Sequence, residues 1–593
     1  MTRRCAVSLV LCVLLFGSTG CSLFSSAGPA DAFRAFAEAL QRKDAGAAAA
    51  VTTDPSAATP VITSMFDGMP TDATLTVEAS ELGDDENQAT LAYQWSFGPD
   101  KTFGYDAKAT ATQSGDDWRV QWTPAVLHPR LRDGVSFQYS DDKDFLTPVT
   151  DRDGLPLMTW QTVGVVTLAR EQAASAAALA PLLQQFAPTI TDASIAEQFA
   201  GTQDDVVTVV RLREPDLAVV RDQLAQIPGV TVSEQGALLT ANRDLSSPAI
   251  SGLADVWQQK IDAAAGWSLT LVGADGQPTD QLASTPPKDS PPIRTTLDGR
   301  LQLLAQQAVA AEPRPAVLVA ISPSTGGILA VAQNAAANAQ GPVALSGSYP
   351  PGSTFKTITT AAALQAGIAS PESPQACPGR VTVESRTIPN DDEFDLGTVP
   401  LTTAFARSCN TTMAVLSDRL PADALPNMAK LFGIGVDFVI PGITTITGNV
   451  PNADTPAQKV ENGIGQGTVT VSPFGLAVAE ASLGHGSTIT PTLVVGEQTT
   501  ADAESRPIPP EIVDSLRAMM RQTVTDGTAT ELRDVVGLGG KTGTAEFGDN
   551  TSSHGWFAGI VDDIAFATLV VGGNTSGPAI KVTGDFLRPA VGG

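Results

Sequence analysis

The chain reads as a multidomain protein of the α+β class, and three observations lead there. Its 593 residues are enough for about three or four domains. Hydrophobic residues make up 42% of the chain and charged residues 17%, the balance of a folded protein with enough apolar material for real cores. Helical spacing of apolar residues and strict apolar–polar alternation occupy separate blocks, so helices and antiparallel strands follow one another along the chain.

Composition also narrows the function. A formal charge of −27 and a pI near 4.4 argue against nucleic acid or an anionic lipid surface as partner, and a solvated acidic surface accounts for them. The 3 histidines, His128, His485 and His554, stand far apart. A multi-histidine metal site or a Ser-His-Asp triad is hard to build from them, and there is no G-x-S-x-G elbow. Neither a metal nor a cofactor is expected.

The N-terminus reads as an export signal, with Arg3-Arg4 before an apolar run from Cys5 to Phe16. That run is short beside the ~20 residues of a membrane span. It ends in Gly17-Ser18-Thr19-Gly20-Cys21, which resembles a bacterial lipobox, with Ser18 where that pattern usually has Leu. Residues 1–20 would then be removed and Cys21 would carry lipid; the alternative is an uncleaved signal anchor. Either leaves the body outside the cytoplasm. Cys5 and Cys12 would depart with the signal, leaving Cys377 and Cys409 as an even pair, either a disulfide or two buried thiols.

In chain order, Asp31 is placed to cap a helix carrying Phe33, Phe36, Ala37 and Leu40. Leu75 and Val77, then Leu91, Tyr93 and Trp95, then Trp118, Val120 and Trp122 alternate as strands, separated by turns such as Gly83-Asp84-Asp85. The segment Trp118-Arg119-Val120-Gln121-Trp122 with Leu127-His128-Pro129 resembles the cone-shaped N-terminal domain of MecA-type penicillin-binding proteins, similar in fold to nuclear transport factor. That resemblance assigns residues 21–128, with no chemistry of their own. Thr150-Asp151-Arg152-Asp153-Gly154-Leu155 reads as a tight turn holding an Arg–carboxylate pair, before a strand at Val163 to Val166. It resembles the entry to the pedestal, or dimerisation, domain of penicillin-binding proteins, here 129–288. Arg243-Asp244-Leu245-Ser246 stands where the family often has R-x-Y-P. An Ala-rich element spans Ala173 to Leu183, and a helix through Leu217, Val220 and Leu224 must stop before Pro228-Gly229. The Pro-rich stretch Ser284 to Pro292 is a boundary. After it come a helix opened by Thr296-Leu297-Asp298 and a hairpin of Ala316 to Ile321 with Ile328 to Val331, within a domain of 289–593.

The chemistry centres on Tyr349-Pro350-Pro351-Gly352-Ser353-Thr354-Phe355-Lys356. A Ser and a Lys three apart at a helix start lie on one face, and the positive helix end suits an oxyanion. S-x-x-K alone is a weak signal. Ser408-Cys409-Asn410 follows about 55 residues on, and Lys541-Thr542-Gly543-Thr544 farther downstream in a Gly-rich strand. The three motifs in this order resemble the penicilloyl-serine transferases, whose sheet and flanking helices the 289–593 domain should share. Gly463-Ile464-Gly465-Gln466-Gly467 and His554-Gly555-Trp556-Phe557 resemble further family segments. Read plainly, the first is a simple turn and His554 a satisfied surface histidine.

As a whole the chain is similar to a class B penicillin-binding lipoprotein of actinobacterial type, a monofunctional peptidoglycan D,D-transpeptidase. The resemblance implies that Ser353 attacks the carbonyl of a D-alanyl-D-alanine stem peptide and that Lys356 accepts its proton. Ser408 would relay a proton to the leaving amine and Asn410 would orient the substrate amide. Lys541 would hold the terminal carboxylate, helped by Thr542 and Thr544, with Gly543 letting substrate backbone approach. The backbone N–H groups of Ser353 and Thr544 would form the oxyanion hole. It further implies covalent capture of β-lactams at Ser353, a lipid-anchored place on the outer face of the cytoplasmic membrane, and a glycosyltransferase or a divisome or elongasome protein as partner. A bridge from Cys377 to Cys409 would brace the second motif. The rivals are a serine β-lactamase, for which no E-x-x-L-N segment appears between Ser408 and Lys541, and a non-enzymatic β-lactam sensor or division scaffold.

Overall fold

The computed structural model describes residues 28–82, 85–383, 385–548 and 552–592. The export signal, Cys21 and the turn at Gly83-Asp84 lie outside them. The chain divides into two compact units, one running up to Asp144 and regained at Asp262–Asp289, the other comprising Phe145–Ile261 and Ser290–Gly593.

In the first unit a helix spans Pro29–Gln41 with Gly28 as N-cap. Asp31 therefore sits inside the first turn rather than at the cap, paired with Arg34 at 3.0 Å. Pro29 takes the first helical position because its missing N–H is not needed there. Phe33, Phe36 and Leu40 pack into one core with Leu75, Val77, Leu91, Tyr93 and Trp95. The antiparallel sheet runs Thr74–Leu82, Asp85–Ser96, Thr102–Ser114, Asp117–Val120. The third strand escaped the sequence pattern because its fully buried positions are Ala107, Ala109 and Ala111, too small to stand out as an apolar face. The fourth ends at Val120, short of Trp122.

The contiguous boundary expected after 128 is not the one the fold draws. A second sheet pairs Val135–Asp142 with Gly266–Gly273, which pairs in turn with Pro278–Thr285. Its Phe137, Trp267, Leu269 and Leu271 join the core of the first unit. The first of these strands is more than a hundred residues from its partner, so no local pattern announces that pairing.

In the second unit a long strand, Pro156–Ala169, pairs with both Val206–Arg213 and Val230–Thr240. The turn before it is built without the expected Arg–carboxylate pair. Buried Asp151 instead accepts the backbone N–H groups of Asp153 and Leu155 at 2.9 and 2.8 Å, since a short Asp reaches its own turn more easily than a neighbouring guanidinium. The helix Glu214–Leu224 stops before Pro228, as its sequence requires.

The remaining architecture is an antiparallel sheet with helices on both faces. Its strands are β1 (Ala316–Ile321), β2 (Ile328–Gln333), β3 (Gly539–Phe547), β4 (Ser552–Val561) and β5 (Ile564–Val570), in the order β2-β1-β5-β4-β3. Every residue of β1 is buried, because both sheet faces are covered. Val317, Val319 and Ile321 face one core, and Leu318 and Ala320 the other with helices Gly299–Ala310 and Gly577–Val591. Asp298 caps the first of these by accepting Leu301 N–H at 2.9 Å. Three further helices concern the site: α1 (Lys356–Gln365), α2 (Asn410–Arg419) and α3 (Pro473–His485). Among the described residues no helix is long and apolar enough to cross a membrane, and no group of three or more His, Cys, Asp or Glu could hold a metal ion.

Candidate active site

Ser353 lies in a 3₁₀ turn, Gly352–Phe355, from which α1 continues at Lys356. Two glycines let backbone segments converge on it. Gly352 has φ +52, and a Cβ there would stand 2.4 Å from Thr544 O. Its N–H donates to Gly465 O at 2.9 Å, and a Cβ on Gly465 would stand 2.0 Å from Gly352 O. The Gly463 to Gly467 loop is therefore a seat for the nucleophile turn rather than a simple turn. Thr359 Oγ1 donates to Gly463 O at 2.7 Å, and Trp556 Nε1 donates to Pro350 O at 3.0 Å. Gly543 also has a reason within the fold. A Cβ there would meet Pro351 O and Thr354 Cγ2 at 2.9 Å, so its missing side chain admits the protein's own serine turn.

Lys356 is fully buried. Its amine is 2.7 Å from Ser408 O, 3.1 Å from Ser408 Oγ and 2.5 Å from Asn410 Oδ1. Loss of water drives its pKa well below the ordinary lysine value; the charge of Lys541 adds to this and Asp391 opposes it. The amine donates to all three oxygens, so the second motif holds it in place. Among the described residues the Ser353 hydroxyl has no hydrogen-bond partner, so the lysine rests on the second motif rather than on the nucleophile.

Ser408 has φ +62, a costly conformation for a residue with a Cβ. It is held on both sides: its N–H donates to Phe405 O at 2.9 Å, and Cys409 N–H to Ala404 O at 2.8 Å. Cys409 is joined by a disulfide to Cys377. Asn390, which no motif signalled, is the hub here. Its buried amide donates to Pro378 O and Phe394 O at 2.9 and 2.8 Å and accepts Thr411 N–H at 3.1 Å. Asn410 in turn donates to Pro389 O at 3.0 Å, leaving its second N–H for a ligand. A single Asn in a turn gives no pattern; only the folding of 377–390 onto 408–411 reveals its part.

Lys541 is fully buried on β3. Its amine donates to Thr542 O at 3.1 Å and lies 5.7 Å from the centre of the Phe405 ring. Burial brings its pKa down to about 7. Among the described residues no carboxylate pairs with it, and an anionic ligand would favour its charged form. Thr542 Oγ1 is 2.6 Å from Thr528 Oγ1, and Thr544 is half-buried beside Gly352.

His554 is buried, not a surface group. Its Nδ1 accepts Gly572 N–H at 3.3 Å, and burial lowers its pKa to about 4. Of the other histidines, His128 accepts Arg130 N–H at 3.1 Å and His485 donates to Pro323 O at 2.9 Å. The arrangement as a whole supplies a free serine, a buried amine of lowered pKa, a hydroxyl touching that amine and a second buried amine without a carboxylate partner among the described residues, which are the parts of an acyl-transfer site.

Residues 316–590 match the Penicillin binding protein transpeptidase domain, and residues 28–135 the NTF2-like N-terminal transpeptidase domain. The chain is 31% identical over 354 residues to the peptidoglycan D,D-transpeptidase PbpA of Mycolicibacterium smegmatis, covering 51% of this chain and 70% of that protein. It is 22% identical over 524 residues to penicillin-binding protein 3 of Bacillus subtilis, covering 76% of each. Among solved structures it resembles one of a complex between penicillin-binding protein PBP2 and MreC from Helicobacter pylori, with a TM-score of 0.57, 16% identity, and coverage of 77% of this chain and 98% of that one. With its serine turn, strained Ser408 and buried Lys541 arranged on this sheet, the chain belongs to the class B penicillin-binding proteins.

Proposed function

We propose that the protein is a peptidoglycan D,D-transpeptidase that works through an acyl-enzyme on Ser353. The Ser353 hydroxyl attacks the penultimate D-alanyl carbonyl of a stem peptide and its proton passes to Lys356. The C–N bond to the terminal D-alanine breaks, and that amine takes up a proton through Ser408. The amine of a second stem peptide then attacks the ester, restoring the serine and forming the cross-link. Lys541 pairs with the departing carboxylate. A β-lactam would enter the same path and stop at the ester. The observation that carries this reading is the Lys356 amine, buried, with its basicity tuned down and 3.1 Å from Ser408 Oγ. The relatives named peptidoglycan D,D-transpeptidases support it. Lipid attachment at Cys21 and work on the outer membrane face belong to the same proposal, and so does a membrane-bound wall-synthesis partner.

Labelling with a fluorescent penicillin tests it. The full chain should label and keep its label for minutes or longer, and Ser353→Ala should not label. In cells the labelled band should pellet with membranes, and Cys21→Ala should move it to the soluble fraction. A wild type that does not label would overturn the acyl-transfer reading. Loss of label within seconds would point to a β-lactamase instead, and a soluble wild-type band would overturn the anchor.

A further inference from the structure

To hold a ligand carboxylate, Lys541 has to be a cation in a place that water does not reach. Its amine donates to Thr542 O at 3.1 Å, a neutral neighbour on its own strand, and among the described residues no carboxylate pairs with it. The remaining help comes from Phe405, whose ring centre lies 5.7 Å from the amine. An ammonium within about 6 Å of a ring centre is drawn to the electron-rich face, and more strongly where both groups are out of water. Phe405 is fully buried, in the short helix Leu401–Ala406. An aliphatic side chain could also fill a core position, but it offers no such face to a cation.

The same residue reaches the second motif through its backbone. Phe405 O accepts the Ser408 N–H at 2.9 Å, one of the two bonds that hold Ser408 at φ +62. The end of this helix is also fastened toward β3. Ala406 O accepts Thr528 N–H at 3.3 Å, and Thr528 Oγ1 is 2.6 Å from Thr542 Oγ1. A Cβ on Gly527 would stand 2.4 Å from Ala406 O, so a bare backbone is required for this approach. Phe405 thus meets the second motif with its carbonyl and the third with its ring.

We propose that Phe405 is a positioning residue for carboxylate recognition: its ring holds the Lys541 ammonium ready for the anionic end of the ligand, in register with Ser408. The ring acts through Lys541 and touches no reacting atom. This rests on the proposed acyl-transfer reading and adds a residue that none of the three motifs contains.

The test is competition against fluorescent-penicillin labelling of the full chain, with benzylpenicillin and its methyl ester as the competing probes. The two differ in the carboxylate, so the ratio of the concentrations that halve the labelling rate reads the contribution of Lys541. Both probes meet the same folded molecules, so a loss of stability cancels from the ratio. In the wild type the acid should compete at a much lower concentration than the ester. Phe405→Leu should shrink that preference by about three- to tenfold, the range of a partly to fully desolvated cation–ring contact. Replacing Phe405 by a trifluorinated phenylalanine, which keeps the ring and withdraws electrons from its face, should shrink it by a similar factor. An unchanged preference in both variants would overturn the proposal. So would a loss in Phe405→Leu alone, since that would make the ring a matter of packing. A wild type that labels but shows no preference overturns this inference alone; a wild type that does not label overturns the acyl-transfer reading and this one with it.

Discussion

Among the described residues, Glu480 is the acid placed where a carboxylate is least at home. It lies on the sheet-facing side of α3, three residues from Ala477 and four from Gly484, whose own missing Cβ would crowd Pro323 and Ile560. The side chain is fully buried, Oε2 has no partner, and burial alone pushes its pKa from 4.5 to about 8. The folded protein thus holds a proton that the unfolded chain releases above about pH 4.5. The consequence for stability has a definite sign: no loss below the unfolded pKa, then a progressive loss from there to about pH 8, and a plateau beyond. Replacing Glu480 by Met should remove that dependence. The variant should gain on the wild type as pH rises from 5 to 8, by roughly a few kcal/mol in denaturant unfolding. A gap that stays constant with pH would refute this. Lys356 and Ser408 make the complementary point at the same scale. Their types were readable as a motif; the left-handed backbone of Ser408 and the lysine's preference for Ser408 over Ser353 were not, because both arise from neighbours far along the chain.

Among elements, the serine turn shows most clearly how backbone geometry sets chemistry. Gly352 combines a positive φ with the close approach of Thr544 O, whereas Gly367, just past α1, has φ +65 and open space where a Cβ would go. The pair separates strain from displacement. Gly367→Ala should cost about 1 kcal/mol of stability and leave penicillin labelling within about twofold of wild type. Gly352→Ala must also push the turn away from β3, and because a displacement of order 1 Å can cost about a hundredfold, its labelling rate should fall at least tenfold. Similar labelling rates in the two variants would show that the contact with Thr544 does not position the nucleophile. Sequence patterns served unevenly at this level. The helix through Leu217, Val220 and Leu224 and the β1–β2 hairpin have large apolar residues at regular spacing and were readable. The strand Thr102–Ser114 buries alanines and was not.

For the molecule as a whole, the informative fact is that the first unit is discontinuous. Its core includes Phe137, Trp267, Leu269 and Leu271 as well as the helix and sheet before residue 128. A chain shortened to begin at 129 would leave those side chains without their partners. At about 25 cal/mol per Å² of apolar surface re-exposed, the loss amounts to several kcal/mol. The shortened chain should aggregate or bind a hydrophobic dye strongly, while one that also lacks Asp262–Asp289, joined by a short linker, should do so less. Equal, low dye binding by both would show that these strands are stable apart from the first unit. The α+β class, the order of the three motifs and the residue types of the nucleophile, base and cation were all readable along the chain, because hydrophobic period and motif spacing are local properties. The unit boundary, the disulfide, the Asn390 hub, the buried state of His554 and the true neighbour of Gly543 depend on segments tens to hundreds of residues apart. Only packing brings those together, since desolvation and close backbone contact depend on which surfaces meet.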